Sequence, residues 1–398
     1  MVTQAPPQQP TPSLPQTSRP APRNRLHSLT GMRAVAAAMV FVFHTTQPQI
    51  SPFTGATAGR AARWFTCFGP IGVSFFFILS GFVLTWAARK GDTPGRFYRR
   101  RLVRIYPNHV VTFAAAMVLF ASVGFMTGTK ATAPRLWLPN LLLLHAWTPH
   151  LDVQLGVNPP SWSLSCEALF YLCFPLLYAL IRKIPPRALW AAAGITAGLV
   201  VAVPALVYAL LPGVHGAAGP MGLPVTPDQM WLVYAFPPVR LLEFALGMLM
   251  ARIVLTGRWI PVPTTAAALL AVGGFFLTFS LPFLYRFDAA TVVPLALLIP
   301  AAAAAEGRGR RSIMSSRPMV RLGDLSFAFF MIHAVMLVTL TRLFAGHQRW
   351  SDGQAYGAIA AYATLCLAAA WVLNTFVERP MVRYFSQSRA ARAERASA

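Results

Sequence analysis

An arginine and a histidine stand eleven residues apart in a stretch otherwise apolar enough to cross a bilayer. They are Arg33 and His44 in LTGMRAVAAAMVFVFHTTQ, Leu29 to Gln47. Eleven residues are close to three helical turns, so the two side chains point the same way, about 16 Å apart along the axis. A charged or titratable group at membrane depth costs several kcal/mol or must be paired, and it marks function by default. An imidazole in that position suits general-base chemistry.

Other residues along the chain can serve that pair. In Pro159-Pro160-Ser161-Trp162-Ser163-Leu164-Ser165-Cys166-Glu167, two prolines and a small polar run begin a helix near the outer surface. Glu167 falls at about its second turn, at a depth similar to that of His44. A carboxylate that orients an imidazole is an acid–base arrangement; a structural pair with Arg33 or Arg240 is the alternative. The run Arg96-Phe97-Tyr98-Arg99-Arg100-Arg101-Leu102-Val103-Arg104-Ile105-Tyr106 holds five arginines in nine residues. It serves either as a positive-inside anchor at lipid headgroups or as a cradle for a phosphorylated cofactor, because Arg binds phosphate bidentately. Arg240 and Glu243, at i and i+3, can pair with each other. Ser326 and His333 share a helix face, whereas Asp324 and His333 do not. Ser80 has no adjacent base in sequence and serves packing with Gly69, Gly72, Ser74 and Gly81. Glu378-Arg379-Pro380 reads as a helix stop with a local ion pair.

The elements that must position these groups are membrane helices. The chain has 398 residues, 56% hydrophobic and 11% charged, with mean hydropathy +0.54. Soluble domains carry about 25% charged residues, so an all-α polytopic membrane protein is expected. Ten segments have spanning length: about 29–47, 67–88, 109–128, 161–181, 188–211, 231–251, 262–282, 289–305, 320–341 and 356–378. Leu136 to Trp147, interrupted by Pro139, reads as an interfacial or re-entrant piece. With both termini cytoplasmic, the inside segments hold 25 Lys/Arg and the outside loops 7, the asymmetry that the positive-inside rule requires. The net charge of +23 therefore marks topology, and nucleic-acid binding is set aside because no continuous basic face forms. Residues 1–24 read as a disordered Pro/Gln-rich cytoplasmic tail, 25–384 as one transmembrane domain and 385–398 as a basic tail, with no second domain fused. Cys67, Cys166, Cys173 and Cys366 show no metal-ligand spacing, and no metal is expected.

The order LTGMRAVAAAMVFVFH, FFFILSGFVLT, FYRRRLVRIYP, PSWSLSCEALFY, RLGDLSFAFFMIH and VERP resembles the acyltransferase 3 family of integral-membrane O-acyltransferases, from about Leu29 to Arg383. The resemblance implies transfer from acyl-CoA, acetyl-CoA foremost, to a hydroxyl of a sugar or secondary metabolite. It implies functional roles for Arg33, His44, the stretch Arg99 to Arg104, and Glu167. Two departures are Ala168, where many relatives have an acidic residue or Gln, and Thr30, where an Asp is common. FPPVRLLEF looks like the antibiotic-tailoring branch that includes macrolide acyltransferases. Polysaccharide O-acetylation is the alternative within the family. A proton-coupled secondary transporter is the alternative of another class, although no inverted repeat is seen.

The resulting expectation is a multi-pass cell-membrane enzyme whose partners are acyl-CoA, a small-molecule or glycan acceptor and the bilayer. His44 is the general base, Glu167 orients it, and Arg33 guides the donor or stabilises an oxyanion. Arg99, Arg100, Arg101, Arg104 and Tyr106 hold the donor. Trp162, Ser165, Arg240, Glu243 and His333 contact the acceptor.

Overall fold

The computed structural model describes residues 25–48, 50–88, 92–121, 131–213, 223–344 and 350–386. Of the expected tails, residues 1–24 and 387–398 lie outside them, as does the far end of the expected third span; Phe385 and Ser386, the first two residues of the expected 385–398 tail, instead end the last helix. The described residues are helical, without strands. In chain order the helices are α1 (His27–Thr45), α2 (Gly55–Phe65), α3 (Phe68–Trp86), α4 (Pro94–Leu119), α5 (Pro134–Leu141), α6 (Leu151–Gln154), α7 (Trp162–Lys183) and α8 (Leu189–Leu210). Then come α9 (Pro227–Met230), α10 (Pro237–Leu255), α11 (Thr264–Leu277), α12 (Val292–Gly307), α13 (Arg317–Phe344), α14 (Asp352–Leu373) and α15 (Arg379–Ser386).

Among the described residues each of the ten expected segments overlaps one long helix: α1, α3, α4, α7, α8, α10, α11, α12, α13 and α14. Seven helical stretches are long and apolar enough to cross a membrane by length and composition. The others fall short for visible reasons. Helix α10 carries Arg240, Glu243 and Arg252, while α11 and α12 have 14 and 16 residues. The chain is an all-α, polytopic integral membrane protein.

Three boundaries differ from expectation. The third helix begins fifteen residues early, at Pro94, where the Thr93 side chain caps Arg96 N–H and proline occupies the first turn. The arginine run is therefore helical, its Phe97 and Ile105 buried at i and i+8. A hydropathy window starts a span only where the charges stop, so it missed this turn-rich start. Glu378-Arg379-Pro380 is not a stop. The backbone passes through a π-helical turn at Asn374–Glu378 and continues as α15, with Pro380 in its first turn where no N–H is needed. The 134–161 region forms short helices whose polar residues Asn140, His145, Asn158 and Ser161 are fully buried.

The core is built on close backbone approach at small residues, as membrane interiors favour. One face of α3 meets α1: a Cβ at Gly72 would lie 2.8 Å from Ala36 O. The other meets α10, where a Cβ at Gly81 would lie 1.9 Å from Phe244 O and one at Gly247 1.9 Å from Ile78 O. Helix α13 lies along α1 with Gly323 against Thr30 O, at 1.8 Å from its hypothetical Cβ. The start of α1 has no acidic residue of its own. Glu306 of α12 supplies one, accepting from His27 N–H and Ser28 N–H, both at 2.8 Å, where the helix dipole favours negative charge. Arg25 pairs with Asp324 of α13. These contacts fix the height of α1, and with it the heights of Arg33 and His44.

Replacing Gly247 by Ala forces α3 and α10 apart and costs about 1–3 kcal/mol. Gly198→Ala in α8, where a Cβ meets nothing within 4 Å, leaves stability unchanged or higher. Thermal unfolding in detergent separates the two.

Candidate functional site

Four cavities follow one another from His44 at the end of α1, past Arg33, to the start of α4. A distal cavity of about 140 Å³ is lined by His44, Val73, Trp162, Tyr234 and Phe330 among others. A waist of about 60 Å³ holds Arg33, Ser163, Glu167 and Ser326 between Phe76, Phe77, Phe327 and Phe330. A basal cavity of about 140 Å³ holds Arg33, Ser80, Arg101, Arg104, Glu167 and Tyr171. A vestibule of about 290 Å³ is lined by Asp92, Phe97, Arg100, Arg101, Phe174 and Arg182. Neighbouring cavities share walls. Val73 and Phe330 bound the first two, Arg33 and Glu167 the second and third, and Leu84 and Arg101 the last two.

His44 sits in the last turn of α1, half-buried. Its Nδ1 is 2.8 Å from Val40 O and 3.2 Å from Nε2 of His333. The His333 Nδ1 is in turn 2.8 Å from Phe330 O and 3.1 Å from Phe329 O. Glu167 is elsewhere: Tyr171 O–H donates to its Oε2 at 2.9 Å. Among the described residues no hydrogen bond joins Glu167 to His44, so the expected direct partnership is corrected to His44 with His333. The reason is depth. Asn158 to Ser161 are fully buried, and Pro159, Pro160 and Trp162 line the same cavity as His44. Helix α7 thus starts at the level of His44, and Glu167, five residues on, lies about 7.5 Å further along the axis, on two cavities that Arg33 also lines. His333, expected to contact the acceptor, is 1% exposed and paired with His44 instead.

The expected donor residues divide. Arg100 pairs with Asp92, and Arg104 Nη1 with Glu378 at 2.6 Å, so Glu378 does not pair with its neighbour Arg379. Asn108 Nδ2 also donates to Glu378, at 2.8 Å. Arg99 Nε donates to Phe385 O at 2.7 Å, and Tyr106 O–H to Leu141 O at 2.8 Å; neither residue lines the cavities described. Arg101 lies over the rings of Phe97 and Tyr171, 5.5 and 5.9 Å from their centroids. Among the described residues neither Arg101 nor Arg33 has a carboxylate within ion-pair distance, yet both line the cavities. Both can pair with an anionic ligand there.

The expected acceptor residues divide too. Trp162 faces His44's cavity. Ser165 Oγ is 3.3 Å from His145 Nδ1, inside a buried network with Ser161 and Asn140. Arg240 and Glu243 do pair, Nη2 to Oε2 at 2.7 Å, and Asp288 joins them at 2.5 Å from Nη1, with Ser74 accepting from Nη2 at 3.0 Å. All three charged groups are buried, behind the cavity wall at Tyr234. Tyr171 is a member that sequence reasoning missed, although its i+4 spacing from Glu167 carried the signal. Asp288 gave none, since it lies just outside an expected span.

Comparison with known proteins bears on this geometry. A family profile described as an acyltransferase domain matches residues 26–375. The chain is 40% identical to acyltransferase MdmB of Streptomyces mycarofaciens, over 92% of this chain and 94% of the relative. It is 27% identical to the exopolysaccharide production protein ExoZ of Rhizobium meliloti, over 82% and 93% respectively. It is also 27% identical to the O-acetyltransferase OatA of Staphylococcus aureus, over 41% of this chain and 26% of that one.

Removing one partner of a buried ionic group strands the others, at about 3–5 kcal/mol. Arg240→Met alone therefore lowers the thermal unfolding midpoint sharply. Adding Glu243→Met and Asp288→Leu to it recovers most of the loss in the same measurement.

Proposed function

From the premise that the chain belongs to the acyltransferase 3 family of membrane acyltransferases, we propose that it moves a short acyl group from acyl-CoA to a hydroxyl of a macrolide-like or sugar-bearing small molecule. The observation that carries this reading is the succession of cavities, each sharing wall residues with the next, between His44 and Arg101. A phosphorylated donor bound at the vestibule, with a long thin arm, needs such a route to bring its thioester to His44, which lies about three turns beyond Arg33. A transporter has no use for a thioester-sized line ending at one imidazole, and family membership sets that alternative aside.

In the proposed reaction the acceptor hydroxyl occupies the distal cavity, against Trp162, Tyr234 and Phe287. His44 Nε2 takes its proton as the oxygen attacks the thioester carbonyl. The C–O bond forms and the C–S bond breaks. The imidazolium then returns the proton to the leaving thiolate, so the imidazole is regenerated neutral. Arg33, about 16 Å from His44 along α1, contacts the donor's arm and not the reacting carbonyl. Arg101, with Arg100, Arg104 and Arg182 around it, attracts the phosphates. Glu167 with Tyr171 provides a polar wall beside Arg33. The aromatic distal wall suits the apolar face of a macrolide, which is the acceptor class that FPPVRLLEF also pointed to. The name of ExoZ, an exopolysaccharide production protein, favours a glycan hydroxyl as the second reading.

Membranes containing the protein, incubated with a panel of acyl-CoAs and hydroxyl-bearing macrolides and sugars, are expected to yield an acceptor heavier by one acyl group by mass spectrometry. No mass gain with any pair, while the protein binds acyl-CoA normally, contradicts the assignment. His44→Ala abolishes transfer and retains donor binding. Arg33→Ala and Arg101→Ala each raise the donor KM about 10-fold or more, the loss of a charge-assisted hydrogen bond. Arg99→Ala and Tyr106→Phe leave it within about twofold, because neither faces the path.

A further inference from the structure

We infer that His333 is a positioning residue that, together with the Val40 carbonyl, holds His44 in the one tautomer able to act as a base toward the cavity. The inference rests on the role proposed for His44. Two backbone carbonyls decide it. Phe329 O and Phe330 O can only accept, and both lie against His333 Nδ1, at 3.1 and 2.8 Å, so Nδ1 carries the proton. In the neutral ring Nε2 is then a lone pair. That lone pair lies 3.2 Å from His44 Nδ1, which also faces Val40 O at 2.8 Å. Two acceptors around one nitrogen require that His44 Nδ1 be the donor. In neutral His44 the lone pair is therefore on Nε2, at the opposite edge of the ring. Among the described residues Nε2 has no protein hydrogen-bond partner, and it is not among the buried unpartnered atoms. It belongs to a ring that lines the distal cavity.

The arrangement does the work of a carboxylate without placing a second charge in an apolar site, where an ion would pay a large desolvation penalty. His333 cannot easily swing away. Its ring stacks on Phe329 at 5.8 Å and 11°, and Phe41 stands edge-on at 6.4 Å. When His44 takes a proton at Nε2, its Nδ1–H bond to His333 becomes charge-assisted and strengthens. The contact thus stabilises the charge that forms during transfer more than it stabilises the resting enzyme, which is an effect on kcat.

The test compares His333→Leu, which removes the acceptor, with His333→Gln, whose carbonyl oxygen can replace it. Both are assayed in nanodiscs by thiol release from acetyl-CoA with a hydroxyl-bearing macrolide. In His333→Leu, kcat falls on the order of 10²-fold while donor KM stays within about twofold, and His333→Gln recovers at least about 10-fold of the loss. Histidine-selective ¹⁵N NMR of the wild-type protein gives a readout that needs no acceptor: a nitrogen–nitrogen correlation across the His44–His333 hydrogen bond, absent from His333→Leu. Wild-type kcat in His333→Leu, equal losses in Leu and Gln variants, or no such correlation in the wild type overturns the inference. His44→Ala separates the two levels. Full activity in that variant removes the base itself, whereas an inactive His44→Ala beside a fully active His333→Leu removes only the role given to His333.

Discussion

Every polar side chain inside this protein must find a partner or a cavity, because hydrocarbon offers neither. That constraint sorts the buried groups. Arg240, Glu243 and Asp288 pair with one another in a buried cluster. His145, Ser161, Ser165 and Asn140 are joined by hydrogen bonds in a second. Arg104 is held by Glu378. On the cavities stand His44 Nε2, the Arg33 guanidinium and Arg101, none of them with a carboxylate in ion-pair contact among the described residues.

The packing of the bundle places those groups. Helix α1 is pinned at its start by Glu306 and Arg25–Asp324, and glycines let α3 and α13 approach its backbone. Close approach to α13 brings His333 level with His44 and Ser326 level with Arg33, because the two helices run side by side in the same direction. Close approach of α3 to α10 buries Arg240 against Ser74 and sets the wall behind the distal cavity. The same small residues that hold the fold together therefore also set the spacing between the vestibule and His44.

Much of this was legible in the sequence, and the limits are instructive. Hydropathy found all ten long helices, since apolar runs of spanning length are a strong signal. The Arg33–His44 pair and the buried carboxylate Glu167 were visible because charge in an apolar run is conspicuous. Helical phase explains part of what went astray. Ser165 is two residues from Glu167, so the two point about 200° apart on α7, and only one faces the cavity. Tyr106 is likewise turned away from Arg101, toward Leu141. The rest required tertiary structure. Asp92 and Glu378 neutralise two of the arginines from eight and 274 residues away. His333 reaches His44 across 289 residues, and the acid that caps α1 comes from α12. No local pattern specifies such pairings.

The central claim is that a thioester donor enters at the arginine-lined vestibule and presents its carbonyl to His44. The most direct measurement is an experimental structure of the protein with a non-hydrolysable acetyl-CoA analogue in which a methylene precedes the sulfur. The account predicts phosphates at Arg101, the pantetheine arm passing Arg33 and Glu167, and the acyl carbonyl within about 4 Å of the position where an acceptor oxygen would meet His44 Nε2. An analogue whose acyl end stops beside Glu167, or lies outside these cavities altogether, contradicts it.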